Sequence, residues 1–130
     1  MRPFRLEPKY PTEHAEQVRV IEWSQTPFVR RKYPEIEMLY HTPNGGARDA
    51  VVGRRLKDAG TRRGIPDLFL PVPRQPFHGL YLELKRRDGG TVSDFQRWWI
   101  ERLRAQGFRC EVCHGADAAI KAITEYLTCP

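Results

Sequence analysis

Two acidic residues and one lysine, near the ends of neighbouring apolar segments, are the residues best suited to chemistry in this chain. Asp67 precedes a short apolar run, and Glu83 and Lys85 stand within residues 80–85, where leucine alternates with polar or aromatic side chains. Side chains alternate between the two faces of a strand, so Glu83 and Lys85 share a face. A hairpin across residues 71–79 is expected to bring Asp67 beside Glu83.

This arrangement predicts metal-dependent hydrolysis of a phosphodiester bond. Two adjacent carboxylates repel each other unless a cation lies between them, and oxygen ligands suit Mg²⁺ or Mn²⁺. Such an ion polarises a phosphoryl group and activates water, and a nearby lysine orients that water or neutralises developing charge. The structural alternative is a salt bridge between Glu83 and Lys85, with Asp67 as a turn residue.

The first predicted helix offers a third carboxylate. Glu13 and Gln17 are four residues apart and therefore share a helical face. Glu16 is the alternative and lies nearer to the apolar face that contains Val20. Both acids also complement the helix dipole in the first turn, which is a sufficient structural explanation for them.

A later helix offers a glutamine and two tryptophans. Ser93 and Gln96 fit a capping box, but Gln96 is also placed to face the catalytic strand and contact water or phosphate. Trp98 and Trp99 are interpreted as core or interface residues rather than base-stacking platforms. The apolar face of this helix is predicted to contain Phe95, Trp99 and Leu103.

Helices and strands are mixed along the chain, which predicts an α/β fold with a central mixed β-sheet flanked by helices. The 130 residues are expected to form a single domain, residues 1–130, with an irregular segment at 1–11. The predicted helices are 12–24, 47–59, 93–106 and 116–127, with a helical turn in 28–35. The predicted strands are 36–41, 65–72, 80–86 and 108–113.

The net charge of +6 favours an anionic partner, and nucleic acid is the commonest. Candidate phosphate contacts are the arginines that flank the acidic residues in sequence, namely Arg48, Arg54, Arg62 and Arg63. Asn44 begins a turn whose backbone amides can also approach a phosphate. No segment has the roughly 18 consecutive apolar residues of a membrane helix, so we expect a cytoplasmic protein without a membrane partner.

Three cysteines leave a further alternative. The run from Cys110 through Cys113 to His114 matches the spacing of haem attachment, and Cys129 would complete a set of four zinc ligands. Reduced, partly buried thiols are the favoured interpretation, and we expect neither haem nor zinc.

The ordered set of motifs resembles the VRR-NUC domain of the PD-(D/E)XK nuclease superfamily, in the minimal stand-alone form found in phages and bacteria. The resemblance covers about residues 12–115. It rests on the residues that share the family's order and spacing: Glu13-x-x-x-Gln17, His41-Thr42-Pro43-Asn44-Gly45-Gly46, Gly60-x-x-x-Gly64-Ile65-Pro66-Asp67, Glu83-Leu84-Lys85, Ser93-x-x-Gln96-x-x-Trp99 and Leu103-x-x-x-Gly107.

The resemblance implies a restriction-endonuclease-like core and a role for each matching residue. Asp67 and Glu83 correspond to ligands of Mg²⁺ or Mn²⁺, and the Leu84 carbonyl completes the metal shell. Lys85 corresponds to the catalytic lysine, with Gln96 as a further catalytic residue. Glu13 corresponds to the acid of the first helix and is expected to be a further metal ligand, and Glu16 replaces it if the register differs by one turn.

The resemblance also implies a homodimeric endonuclease that cuts branched DNA, such as Holliday junctions. The alternative is a catalytically inactive nuclease fold that only binds DNA. The complete set of acids and lysine disfavours this alternative, because a binding module has no need to crowd carboxylates together.

Overall fold

The computed structural model describes residues 9–43 and 50–129. Within these ranges it contains a short 3₁₀ helix, Pro34–Met38, beside the regular elements. The helices are α1 (Glu13–Ser24), α2 (Pro27–Lys32), α3 (Ala50–Asp58), α4 (Asp94–Ala105) and α5 (Ala116–Thr128), and the strands are β1 (Tyr40–His41), β2 (Leu68–Leu70), β3 (Leu80–Lys85) and β4 (Arg109–His114).

The strands form one mixed sheet in the order β1-β2-β3-β4. β1 with β2 and β2 with β3 are antiparallel, whereas β3 and β4 are parallel and are joined through α4. The prediction of an α/β fold with a central mixed sheet is therefore confirmed. None of the helices in the described ranges is long and apolar enough to cross a membrane.

The leucine face of β3 forms the centre of the core. Leu80, Leu82 and Leu84 are at most 1% exposed, and they join a buried cluster that includes Val20 of α1 and Ile123 of α5. Burying a leucine contributes roughly 1.5–3 kcal/mol, so this face holds α1 and α5 against the sheet. Glu83 and Lys85 consequently point to the opposite side.

The second face of the sheet is covered less completely. Tyr81 stacks on Phe69 with ring centroids 4.1 Å apart, and Phe108 meets Tyr81 edge-on at 5.5 Å. On α4, Ile100 is buried, whereas Phe95 is 52% exposed. Phe95, which was predicted to share an apolar face of this helix with Trp99 and Leu103, is therefore not part of the core.

Two predicted strands are shorter in the structure because prolines interrupt them. The strand predicted at 65–72 is reduced to β2, since Pro66 and Pro71 have no N–H to donate to a ladder. The strand predicted at 36–41 is reduced to β1, because Pro34 opens a 3₁₀ helix that runs to Met38 and buries Ile36. The predicted helix at 47–59 is seen as α3, and its first residues lie outside the described ranges.

A buried carboxylate joins the first and last helices. Thr12 caps α1, and Glu16 in the first turn is only 1% exposed. Its carboxylate accepts a hydrogen bond from Ala116 N–H at the start of α5, and Arg87 Nε donates to it at 2.8 Å. Glu16 therefore supplies the cap that Gly115, the N-cap residue of α5, has no side chain to provide.

We predict that Glu16→Gln lowers the free energy of unfolding by about 3 kcal/mol, because the Arg87 guanidinium and the α5 terminus lose their charged partner. Urea denaturation monitored by circular dichroism measures this change. Glu22→Gln, at an exposed position of the same helix, is the matched control and is expected to stay within about 0.5 kcal/mol of the original chain. Equal stability of the two variants would contradict the capping role.

Candidate active site

The β2–β3 hairpin brings the predicted acids together. Leu68 pairs with Leu82, and continuing the register by one residue sets Asp67 opposite Glu83. The Asp67 carboxylate accepts a hydrogen bond from Leu84 N–H, with Oδ2 and N 2.7 Å apart. The predicted hairpin is confirmed, and the Asp67 carboxylate is held against the strand that carries Glu83.

A buried polar network links β3 to α4. Gln96 Nε2 donates to Glu83 Oε1 at 2.7 Å, and Lys85 Nζ donates to Gln96 Oε1 at 2.9 Å. Lys85 Nζ also lies 3.6 Å from Glu83 Oε1, and the two side chains are only 7% and 3% exposed. The amide of Gln96 therefore keeps the carboxylate and the ammonium in one arrangement inside the protein.

The same glutamine begins the helix. Ser93 and Gln96 form the predicted capping box: Ser93 Oγ accepts from Gln96 N–H, and Gln96 Oε1 accepts from Ser93 N–H at 2.9 Å. Gln96 Oε1 consequently accepts from the helix backbone and from Lys85 together. The Gln96 side chain therefore both caps α4 and contacts Glu83 and Lys85.

A cleft of about 270 Å³ opens beside the hairpin and is lined by residues from α1, β1 and the β2–β3 hairpin. The lining residues are Glu13, His14, Gln17, His41, Asp67 and Leu84. Glu13 thus faces the same space as Asp67, whereas Glu16 is engaged with Arg87 and α5. This geometry favours Glu13 over Glu16 as the acid of the first helix.

Gly90 lies between Glu13 and Lys85. A Cβ at this glycine would stand 3.4 Å from Lys85 Cδ and 3.8 Å from Glu13 Oε1, and its φ of +95° suits glycine. The turn after β3 therefore packs between the acid of α1 and the lysine of β3.

Burial makes the two central carboxylates hard to ionise together. Desolvation, followed by the negative charge of Asp67, raises the pKa of Glu83 well above its ordinary value. Desolvation also raises the pKa of Asp67, although the Leu84 N–H opposes the shift. The Lys85 ammonium, 3.6 Å from Glu83 Oε1, opposes the rise in the pKa of Glu83, and a cation between the two carboxylates would oppose it further.

The donor set is suited to a divalent cation. Glu83 Oε2 is buried and accepts no hydrogen bond from the described residues, which leaves one carboxylate oxygen for another ligand. Those residues contain no group of three or more His, Cys, Asp or Glu side chains close enough to hold a metal. Mg²⁺ keeps several waters and binds proteins through one or two carboxylates, so Asp67 and Glu83 suffice.

The predicted phosphate-binding residues are not all found together at this site. Arg62 and Arg63 are exposed beside α4, where each guanidinium lies over an aromatic ring. Arg54 is exposed on α3, and no hydrogen bond or ion pair between described residues joins it to the acids. Asn44 and Arg48 lie outside the described residues.

His41 was assigned no role from the sequence, although it belongs to the cleft. Its Nδ1 lies 2.8 Å from the Asp67 carbonyl oxygen, and its proximity is a lesser influence that opposes the desolvation by which the pKa of the Asp67 carboxyl is raised. A signal was available, because His41 ends the predicted strand that precedes the turn at Asn44. The pairing of β1 with β2, which brings it to Asp67, was not predicted.

The cysteine alternative is not favoured by the geometry. Cys110 and Cys113 are three residues apart on β4, so their side chains lie on opposite faces. Burial raises the pKa of the Cys110 thiol to about 11 and that of Cys113 to about 12. Thiols that ionise so poorly are weak metal ligands at neutral pH.

Comparison with known proteins agrees with this geometry. A solved structure described as a VRR_NUC domain protein superposes with a TM-score of 0.73 at 29% sequence identity, over 91% of this chain and 89% of that chain. No curated protein matches the chain. The sequence profile of the VRR-NUC domain matches residues 6–117, and the chain therefore belongs to the VRR-NUC family of nuclease domains.

Proposed function

We propose that this chain is a metal-dependent, structure-specific endodeoxyribonuclease that hydrolyses phosphodiester bonds in branched DNA. The observation that carries the proposal is the buried Glu83–Gln96–Lys85 network beside Asp67. An unpartnered carboxylate oxygen within this network adds support.

Each residue has a distinct task in the proposed reaction. A bound Mg²⁺ or Mn²⁺ would polarise the phosphoryl group and supply Lewis-acid chemistry. Asp67, Glu83 and the Leu84 carbonyl would hold the cation, with Glu13 across the cleft as a further acid. Lys85, oriented by Gln96, would orient the attacking water and, as an ammonium, stabilise negative charge at the phosphate.

Branched DNA is proposed as the substrate, with a homodimer as the active assembly. The resemblance to stand-alone VRR-NUC domains supports both. Two copies related by a twofold axis would present two active sites to a symmetrical four-way junction. Exposed Arg54, Arg62 and Arg63 would contact phosphates, with Asn44 and Arg48 as further candidates, and binding would weaken steeply with salt.

The alternative of an inactive DNA-binding module is less well supported. Burying an ammonium and two carboxylates costs several kcal/mol per ion before their mutual contacts offset it. A surface that only binds DNA gains nothing from charges that are 3% and 7% exposed.

We predict that Lys85→Ala and Lys85→Met each lower the cleavage rate at least about 100-fold in Mg²⁺ or Mn²⁺, because the group that stabilises negative charge at the phosphate is lost. The assay compares labelled four-way junctions, flaps, duplex and single strands, with EDTA as the metal-free sample. Sedimentation of the same samples reports the oligomeric state.

Lys121→Ala, at an exposed position of α5, is the control and is expected to cleave at the original rate. Lys85→Met retains the packing volume, so circular dichroism separates loss of folding from loss of chemistry. DNA binding without cleavage of any substrate in either metal would reject the nuclease and favour the binding module.

We predict that Asp67→Asn weakens Mn²⁺ binding by about tenfold or more, because a neutral amide is a poorer ligand for a hard cation. Isothermal titration calorimetry measures the affinity without reference to activity. Mn²⁺ should also raise the Tm of the original chain by mass action and should have little effect on the variant.

Asp58→Asn removes an exposed carboxylate at the end of α3 and is expected to leave Mn²⁺ binding unchanged. If Asp67→Asn and Asp58→Asn bound Mn²⁺ as tightly as the original chain, the assignment of the metal site would be wrong.

A further inference from the structure

An exposed surface beside the active site combines aromatic rings with arginines. We call it the aromatic–arginine surface, and it consists of Arg62, Arg63, Phe95, Trp98, Trp99 and Arg102. Phe95 is 52% and Trp98 41% exposed, although large aromatic side chains gain most by leaving water. Such exposure indicates a surface that binds something.

The guanidinium groups of this surface lie on its rings. Arg63 lies 4.6 Å from the Phe95 centroid, Arg102 lies 4.1 Å from that of Trp98, and Arg62 lies 5.2 Å from that of Trp99. Contact with a ring restricts a long side chain without neutralising its charge. The arginines therefore remain positive and available to a phosphate.

The charge of this surface is not balanced internally. Arg62, Arg63 and Arg102 form no ion pair with any acidic side chain in the described part of the chain. Many other arginines there do so: Arg19, Arg30, Arg74, Arg86, Arg87, Arg97 and Arg109. Three unneutralised guanidinium groups side by side favour a polyanion over an apolar partner.

The surface is joined rigidly to the active site. Trp99 Nε1 donates to the Arg63 carbonyl at 3.1 Å, and Gly64 packs so tightly on α4 that a Cβ would lie 2.6 Å from the Phe95 backbone. Asp67 follows four residues after Arg63, and Gln96 follows Phe95 directly. The two segments that form the surface thus also supply residues to the buried network.

We propose that the aromatic–arginine surface binds unpaired nucleotides of the DNA next to the scissile phosphate. Bases stack on Phe95 and Trp98, and Arg62, Arg63 and Arg102 contact the phosphates between them. Aromatic rings with basic groups bind single strands in this way for any base sequence. A duplex offers only base edges in its grooves, so ring faces add little to its binding. The inference rests on the proposed function and specifies that the branched substrate has unpaired nucleotides at its branch point, as in a flap or in a junction whose central base pairs have opened.

Fluorescence anisotropy in EDTA tests this assignment without cleavage. The probes are a labelled oligothymidylate of about 12 nucleotides and a duplex of about 12 base pairs, within the length range one such surface covers. We expect Phe95→Ala and Trp98→Ala each to weaken single-strand binding about tenfold, as loss of one stacked base predicts. Duplex binding is expected to change less than about twofold.

Phe28→Ala is the matched control. Phe28 lies on α2, away from the aromatic–arginine surface, and its ring is 66% exposed with Lys32 of the same helix over it. It is expected to leave single-strand binding unchanged. Arg102→Gln preserves both rings and is expected to reduce the salt dependence of binding. Unfolding curves of all variants confirm that they remain folded.

Unchanged single-strand affinity in both aromatic variants would overturn the proposal, and so would equal losses for single strand and duplex. If the aromatic variants change the sedimentation of the protein without an effect on DNA binding, this surface is a contact between copies of the chain, and the proposal is also overturned.

Cleavage in Mg²⁺ or Mn²⁺ is measured separately. If Trp98→Ala loses single-strand binding and the original chain cuts no DNA, the proposed surface is supported and the proposed nuclease activity is rejected. If the original chain cuts DNA and Trp98→Ala still binds single strands as tightly, only the proposed surface is rejected.

Discussion

Burial of opposite charges at the end of a core strand is the constraint on which this structure depends. β3 has leucines on one face that anchor α1 and α5, and the same strand carries Glu83 and Lys85 on the other. Buried charges are tolerated only with partners that replace water. Gln96 from α4 provides one such partner, and the Asp67 carboxylate is held by the backbone of the same strand. The hydrogen bonds of Glu83 and Lys85 to Gln96 therefore fix the position of α4. The hydrogen bond of Asp67 to the Leu84 N–H helps to close the hairpin.

α4 connects this buried network to the outside of the molecule. Gln96 points inward and completes the helix cap, whereas Phe95 and Trp98 remain exposed beside arginines. Gly64, with a φ of +90°, lets the preceding loop lie directly on the helix backbone. The buried site and the basic surface thus share their supports, and a shift of α4 would move both of them.

Local patterns predicted the hairpin and the helix cap correctly, and they predicted the lengths of two strands poorly. Alternation along β3 and the Ser93–Gln96 spacing depend on neighbours in sequence, and such signals are reliable when the backbone follows them. The strands around Ile36 and Pro66 were overestimated because apolar alternation outweighed the missing proline donors. Helical periodicity placed Phe95 on one face with Trp99 but does not encode whether that face is covered, and Phe95 is 52% exposed.

The sequence by itself determined that Glu83 and Lys85 share a face, since this follows from strand geometry, and it predicted a hairpin that brings Asp67 beside Glu83. It did not distinguish Glu13 from Glu16, which are three residues apart in the same helical turn. That difference was decided by tertiary structure, because Glu16 meets Ala116 across one hundred residues of chain and Glu13 faces the cleft of Asp67. Contacts between residues so distant in sequence depend on how whole elements pack, and no local pattern encodes them.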